Sequence, residues 1–228
     1  MSNTTAIGAF GALAGAVVSL VGVLIAQHLT QRRHSEALRQ SAELEEQRAN
    51  KDALLKYFEV VGQLLTNPPS EADYLRPILR AQTMTLLGAL APGHKRILLQ
   101  FLYELNMLGP EKPGLSLQGA NLERANLETS NLAEAYLERA NLKEANLVDA
   151  NLRKANLEEA NLVDANLSKA NLSGANLKQA DLSGAFLQEM TEEGLTQTQI
   201  NEAVGNDATK LPDHLQRPAH WRRSGRKS

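Results

Sequence analysis

The chain contains no cysteine. That excludes disulfides, thiolate chemistry and cysteine-ligated zinc, and it leaves the redox compartment open. An excess of one charge is missing too. The formal net charge of −2 is too small for a general nucleic-acid-binding surface, although it leaves room for a local one. The sequence has no glycine-rich phosphate loop and no nucleophile elbow. His28, His34, His94, His214 and His220 show no metal-ligand spacing. Acidic pairs such as Glu158-Glu159 recur in a pattern that marks them as surface residues, not a catalytic dyad. No catalytic residue, metal or cofactor is therefore expected, and the chain reads as a non-enzyme. An apolar share of 43% leaves room for a real core.

What is present is a register. From Leu117 to Leu187 a leucine stands at every fifth position, fifteen in all. The core set is Leu122, Leu127, Leu132, Leu137, Leu142, Leu147, Leu152, Leu157, Leu162, Leu167, Leu172, Leu177 and Leu182, flanked by Leu117 and Leu187. No helix accommodates this period, because steps of about 100° per residue carry successive leucines right around the cylinder. Asn, which precedes nearly every Leu, is also a poor helix former. A short extended segment with Ala and Leu two apart on one face, followed by a corner, fits the pattern. Four such segments close a square coil, and stacked coils bury a continuous core.

The wording A-N-L-x-x, as in Ala120-Asn121-Leu122, Ala140-Asn141-Leu142, Ala165-Asn166-Leu167 and Ala180-Asp181-Leu182, resembles the pentapeptide-repeat family. The resemblance implies an all-β, right-handed, quadrilateral β-helix over residues 115–189. At about 4.8 Å per coil, under four turns make a stack roughly 18 Å tall. Leu is expected to point inward, Ala to allow close backbone approach, and Asn or Asp to tie up corner amides. Leu115 and Ser130 replace Ala, while Ser116, Tyr136 and Phe186 replace Asn. Tyr136 and Phe186 each mark a bulge, a partner contact or an end of the stack.

The remainder is helical, so the fold class is mixed: an N-terminal transmembrane helix and a helical module, then the β-helix, then a C-terminal cap. Residues 6–26 carry no charge and span about 31 Å as a helix, close to the bilayer's ~30 Å of hydrocarbon. The apolar side chains in that run favour insertion by roughly 3 to 6 kcal/mol. A cleaved signal peptide is the weaker rival, because no Lys or Arg precedes the run, which is longer than a signal's usual core. A buried soluble helix is the other alternative. Arg32, Arg33 and Arg39 follow the run, so the positive-inside rule puts the N-terminus outside and the body in the cytoplasm. The expected location is the inner or plasma membrane, single-pass. Gly11, Gly15 and Ser19 form a small-residue stripe at a spacing of four, a candidate helix–helix contact for a homo-oligomer in the membrane.

Residues 27–65 read as a juxtamembrane helix ended by Asn67-Pro68-Pro69. Its first part is charged on most sides, and Leu54, Phe58, Val61 and Leu65 form its apolar stripe. No sustained heptad supports a coiled coil. Residues 71–108 read as two helices broken at Pro92-Gly93. The stretches Arg80 to Leu90 and His94 to Glu104 resemble a segment that precedes the repeats in membrane-anchored bacterial members of the family. Its expected task is to cover the first coil, whose open edge would otherwise template strand addition. Residues 190–221 read as a cap, with a capping box at Thr196 and Gln199 and with Met190, Leu195, Ile200 and Trp221 available to seal the last coil. Residues 222–228 form a basic tail expected to be disordered.

Residues twenty apart should stack on adjacent coils. That places Glu123 over Lys143, Arg124 over Glu144, Glu134 over Lys154, Arg139 over Glu159, Asp149 over Lys169 and Glu158 over Lys178. Only Glu138 over Glu158 clearly clashes. Some pentapeptide proteins resemble duplex DNA in shape and charge and bind DNA gyrase. Between Ser116 and Glu189, however, eleven acids face seven bases, a balance of only −4, and the ladders are neutralised. Nucleic acid is not an expected partner. The expected function is a non-enzymatic, membrane-anchored scaffold presenting the β-helix to a protein partner the sequence does not identify. The alternatives are a gyrase-binding DNA mimic, and a spacer or self-assembling element with no specific partner.

Burying one leucine stabilises the stack by about 1.5–3 kcal/mol, and an unpaired buried carboxylate costs more. Leu152→Asp, at mid-stack, is therefore expected to abolish folding of the repeat domain. A soluble variant that still melts cooperatively would show that these leucines do not form the core.

Overall fold

A computed structural model describes residues 3–66, 75–109 and 114–221, with side chains from Thr30 in the first helix and from Arg76 in the second. It contains α1 (Asn3–Thr66), α2 (Leu75–Ala89), α3 (Pro92–Glu104) and α4 (Gln197–Glu202). The coiled repeats lie between α3 and α4. The chain divides into two compact units, Met1–Ala49 and Asn50–Ser228.

The first unit is the N-terminal part of α1. This helix is one uninterrupted element of 64 residues, running through both the expected span and the expected juxtamembrane segment. The side chains of residues 6–26, with Gly11, Gly15 and Ser19, lie outside the described residues. Among the described residues no helix is long and apolar enough to cross a membrane. From Thr30 to Ala49 every described side chain is exposed, Leu38 and Leu44 included.

In the second unit the end of α1 packs with α2 and α3. Leu54, Tyr57 and Val61 are buried. This corrects the expected stripe: Phe58 is only partly buried and Leu65 is exposed. The face is rotated by one residue because Tyr57 satisfies its hydroxyl internally, 2.6 Å from Thr83 Oγ1. Burial holds the Tyr57 phenol above its ordinary pKa, opposed by that hydrogen bond. Pro92 opens α3 at its first helical position, where a missing N–H costs nothing. The helix ends at Glu104, earlier than the expected 108. Asn106 adopts a left-handed conformation (φ 54°); its N–H donates to Tyr103 O and that of Met107 to Leu102 O, a Schellman stop.

The repeats form coils of twenty residues, with parallel bridges joining Asn121 to Asn141, Asn141 to Asn161 and Asn161 to Asp181. Each side contributes a single bridged residue, too short for a conventional strand. All fifteen leucines from Leu117 to Leu187 are fully buried, and the alanines of the repeat line the same core. On each side the Ala N–H closes a turn onto the preceding Leu carbonyl, as Ala145 does onto Leu142 (3.0 Å). The Asn side-chain oxygen accepts from the amide two residues on; Asn161 Oδ1 takes the Val163 N–H at 3.1 Å, satisfying a corner amide. Asn side chains also donate along their column, for example Asn161 Nδ2 to Asn141 Oδ1. Tyr136 and Phe186 bridge regularly to Asn156 and Asn166, so neither marks a bulge. Asn156, with Tyr136 where its column partner would stand, donates instead to Glu138 Oε1 (2.6 Å).

The ladder between coils is polar. Leu142 N donates forward to Asn161 O, Glu144 N forward to Val163 O, and Asn161 N backward to Ala140 O. Each side of the first coil therefore presents two carbonyls and one N–H to the missing coil before it. The last coil presents the reverse. The helical module meets the first end with cations. Arg80 donates to Ser116 O (3.2 Å) and Gln118 O (2.9 Å), Lys95 Nζ to Asn121 O (2.9 Å), and Arg96 to Glu128 O (3.5 Å). The backward-facing Asn126 N finds Pro92 O. Lys95 is buried; burial lowers its ammonium pKa, and nearby Glu123 opposes that shift.

The far end is met with carbonyls. Leu172, Gln179, Leu182 and Leu187 donate their N–H groups to Gly194, Glu202, Val204 and Lys210. Gln199 Nε2 serves Leu172 O and Ala175 O, and Thr209 Oγ1 serves Leu182 O. Met190, Leu195, Ile200 and Trp221 are buried there. Trp221 lies so close to Gly205 that a Cβ at that position would fall 2.6 Å from the indole.

The third residue of every turn has positive φ, and in most turns it is not glycine. Thr129 is the costliest of these, a β-branched residue at φ 58°. Thr129→Gly is expected to stabilise the domain by about 1 kcal/mol, since left-handed geometry costs a side chain about 1–2 kcal/mol. Glu128→Gly, one residue earlier and outside the positive-φ set, should destabilise it. Equal melting shifts of the same sign in the two variants would contradict this reading.

Candidate interaction surface

The functional surface of a stacked coil is made of its two variable positions, because Ala and Leu are consumed by the core and Asn by the corners. Four of the six expected charge ladders form as ion pairs. Arg124 meets Glu144 at 2.7 Å, Arg139 meets Glu159 at 2.7 Å, Lys154 meets Glu134 at 3.7 Å and Lys178 meets Glu158 at 3.2 Å. Two expected ladders take other partners. Glu123 accepts from Asn141 Nδ2 (3.1 Å), and Lys143 lies 3.5 Å from Glu144 on its own coil. Lys169 reaches forward to Glu189 (3.3 Å) rather than back to Asp149. Arg153 joins Lys154 on Glu134 at 3.7 Å. The two misses differ in cause: an Asn amide takes the Glu123 carboxylate, whereas a second carboxylate takes the Lys169 ammonium.

These pairs are solvent-exposed and screened, so their effect is on the field, not on stability. Opposite signs meet in most charged columns, Glu138–Glu158 and Glu144–Asp164 excepted, and no column of the described coils is anionic from end to end in the way a duplex is. Glu144 and Glu159 lie below the usual carboxylate pKa, chiefly through hydrogen bonds from Arg124 and Arg139. The same bonds raise the two guanidinium groups further.

The histidines of the cap face main-chain carbonyls: His214 Nε2 stands 3.3 Å from Leu195 O and His220 Nε2 3.1 Å from Ala203 O. Among the described residues no group of three or more His, Asp or Glu converges as a metal site. The sequence did not show which residues would close the acceptor-rich end. Arg80, Lys95 and Arg96 were visible as cations in a module expected to cover carbonyls, and that was the available signal.

A four-sided coil with an Ala-Asn-Leu register and charge carried only on its turns defines a β-helical repeat protein. The family model for pentapeptide repeats matches in eight copies over residues 114–149 and 145–184. Among solved structures, the pentapeptide repeat protein alr5209 of Nostoc PCC 7120 is 30% identical, over 43% of this chain and 84% of that one, with a TM-score of 0.21. Rfr23 of the cyanobacterium Cyanothece 51142 is 34% identical, over 41% of this chain and 65% of that one (TM-score 0.25). HetL of Nostoc sp. strain PCC 7120, a protein involved in heterocyst differentiation regulation, is 26% identical over 43% and 50% (TM-score 0.19). The chain thus spans about half of HetL and just under two thirds of Rfr23. No curated protein matches it. The chain belongs to the pentapeptide-repeat family, whose fold is a right-handed β-helix and whose members are structural or binding proteins in general rather than enzymes.

Because the Glu159 carboxylate is held below its ordinary 4.5, its pairing is intact above that value and lost as pH falls through the lower, folded one. In a side-chain NMR titration, Arg139→Gln should raise the Glu159 midpoint towards the ordinary value and leave Glu144 unmoved. A Glu159 midpoint unaffected by the substitution would show that the ladder is not populated in solution.

Proposed function

We propose that this protein is a non-enzymatic, single-pass membrane protein that presents its β-helix to the cytoplasm as a docking surface for another protein. The observation that carries the docking reading is the closure of both coil ends, by Arg80, Lys95 and Arg96 on one side and by residues 194–210 on the other. End-to-end stacking would need those same carbonyls and amides free. Closed ends favour a discrete platform over a self-assembling element, and the continuous hydrogen-bond ladder between coils favours a rigid one. The anchor rests on the uncharged run of residues 6–26 and the arginines that follow it.

The gyrase reading draws no support from the surface. A DNA mimic works through uncompensated acidic stripes, and here Arg124, Arg139 and Lys178 each neutralise a carboxylate on the neighbouring coil.

An ATP-dependent biotin ligase fused after Ser228 tests the proposal in the native host. Labelling of one or a few cytoplasmic or membrane-associated proteins is expected, and Arg153→Glu with Lys154→Glu should abolish it. Self-labelling alone would turn the reading to a spacer, and gyrase among the labelled proteins would turn it to the DNA mimic. An expressed but unlabelled fusion would reverse the orientation.

A further inference from the structure

We draw no further inference here: the strongest candidate, the apolar groove between the end of α1 and α2 lined by Ala53, Tyr57, Val60, Ala81, Leu86 and Ala89, carries nothing, because nothing in the structure shows what covers it.

Discussion

The fold depends on the direction of its inter-coil hydrogen bonds. Interior sides send two N–H groups forward and, the Tyr136 side excepted, one backward, so the register is self-satisfying only inside the stack. Leucine burial drives coils together, but it has no direction and no sense of where to stop. The ladder has both. It leaves an acceptor-rich first face and a donor-rich last face, and buried main-chain groups without partners are costly at either. The helical module answers with Arg80, Lys95 and Arg96, since a helix spends its interior N–H groups on its own carbonyls and has side-chain donors left to offer. The C-terminal segment answers with main-chain carbonyls, because its backbone can run alongside the last coil as a truncated further turn.

Legibility in the sequence followed the same division. The core was readable because one residue type recurs fifteen times at one spacing, and no helical or heptad period imitates that. Charge ladders were readable where a long side chain faces an opposite charge one coil away, as in Arg124 with Glu144. They were misread at Glu123 and Lys169, where an Asn amide or a carboxylate one coil further on competes at equal reach. The helices were less legible. Tyr57 and Phe58 are adjacent, and either completes an apolar stripe. The choice fell to Thr83, 26 positions away, whose hydroxyl gives Tyr57 a buried partner. The helix stop at Asn106 was hidden because Asn is a weaker left-handed signal than the later Gly109.

Strain is distributed in a way that bears on evolvability. The third turn position is left-handed throughout, yet it carries Arg, Glu, Lys and Asp far more often than Gly. Each such residue costs conformational energy, and each is also one of two side chains per repeat that solvent or a partner can touch. Glycine at every corner would give a calmer backbone and a bare surface. The stack tolerates the cost because the fully buried leucine beside each turn is worth about as much or more. The surface, in other words, is held against local preference by the core beneath it.

That arrangement limits what can change independently. Substitutions at the two variable positions alter charge and contact without touching the ladder, so the lateral faces are free to specialise. The end faces are not, since Arg80, Lys95 and Arg96 are tied to carbonyls that exist whatever the surface does. Ser130 sits where these two regimes meet: its main chain obeys the ladder, donating to Leu127 O and accepting from Asn151 N, while its hydroxyl obeys neither the core's chemistry nor the module's. Elsewhere among the described residues of the coils and cap, a polar group facing inward has been replaced by alanine or given a partner, as Gln199 and Thr209 are at the opposite end.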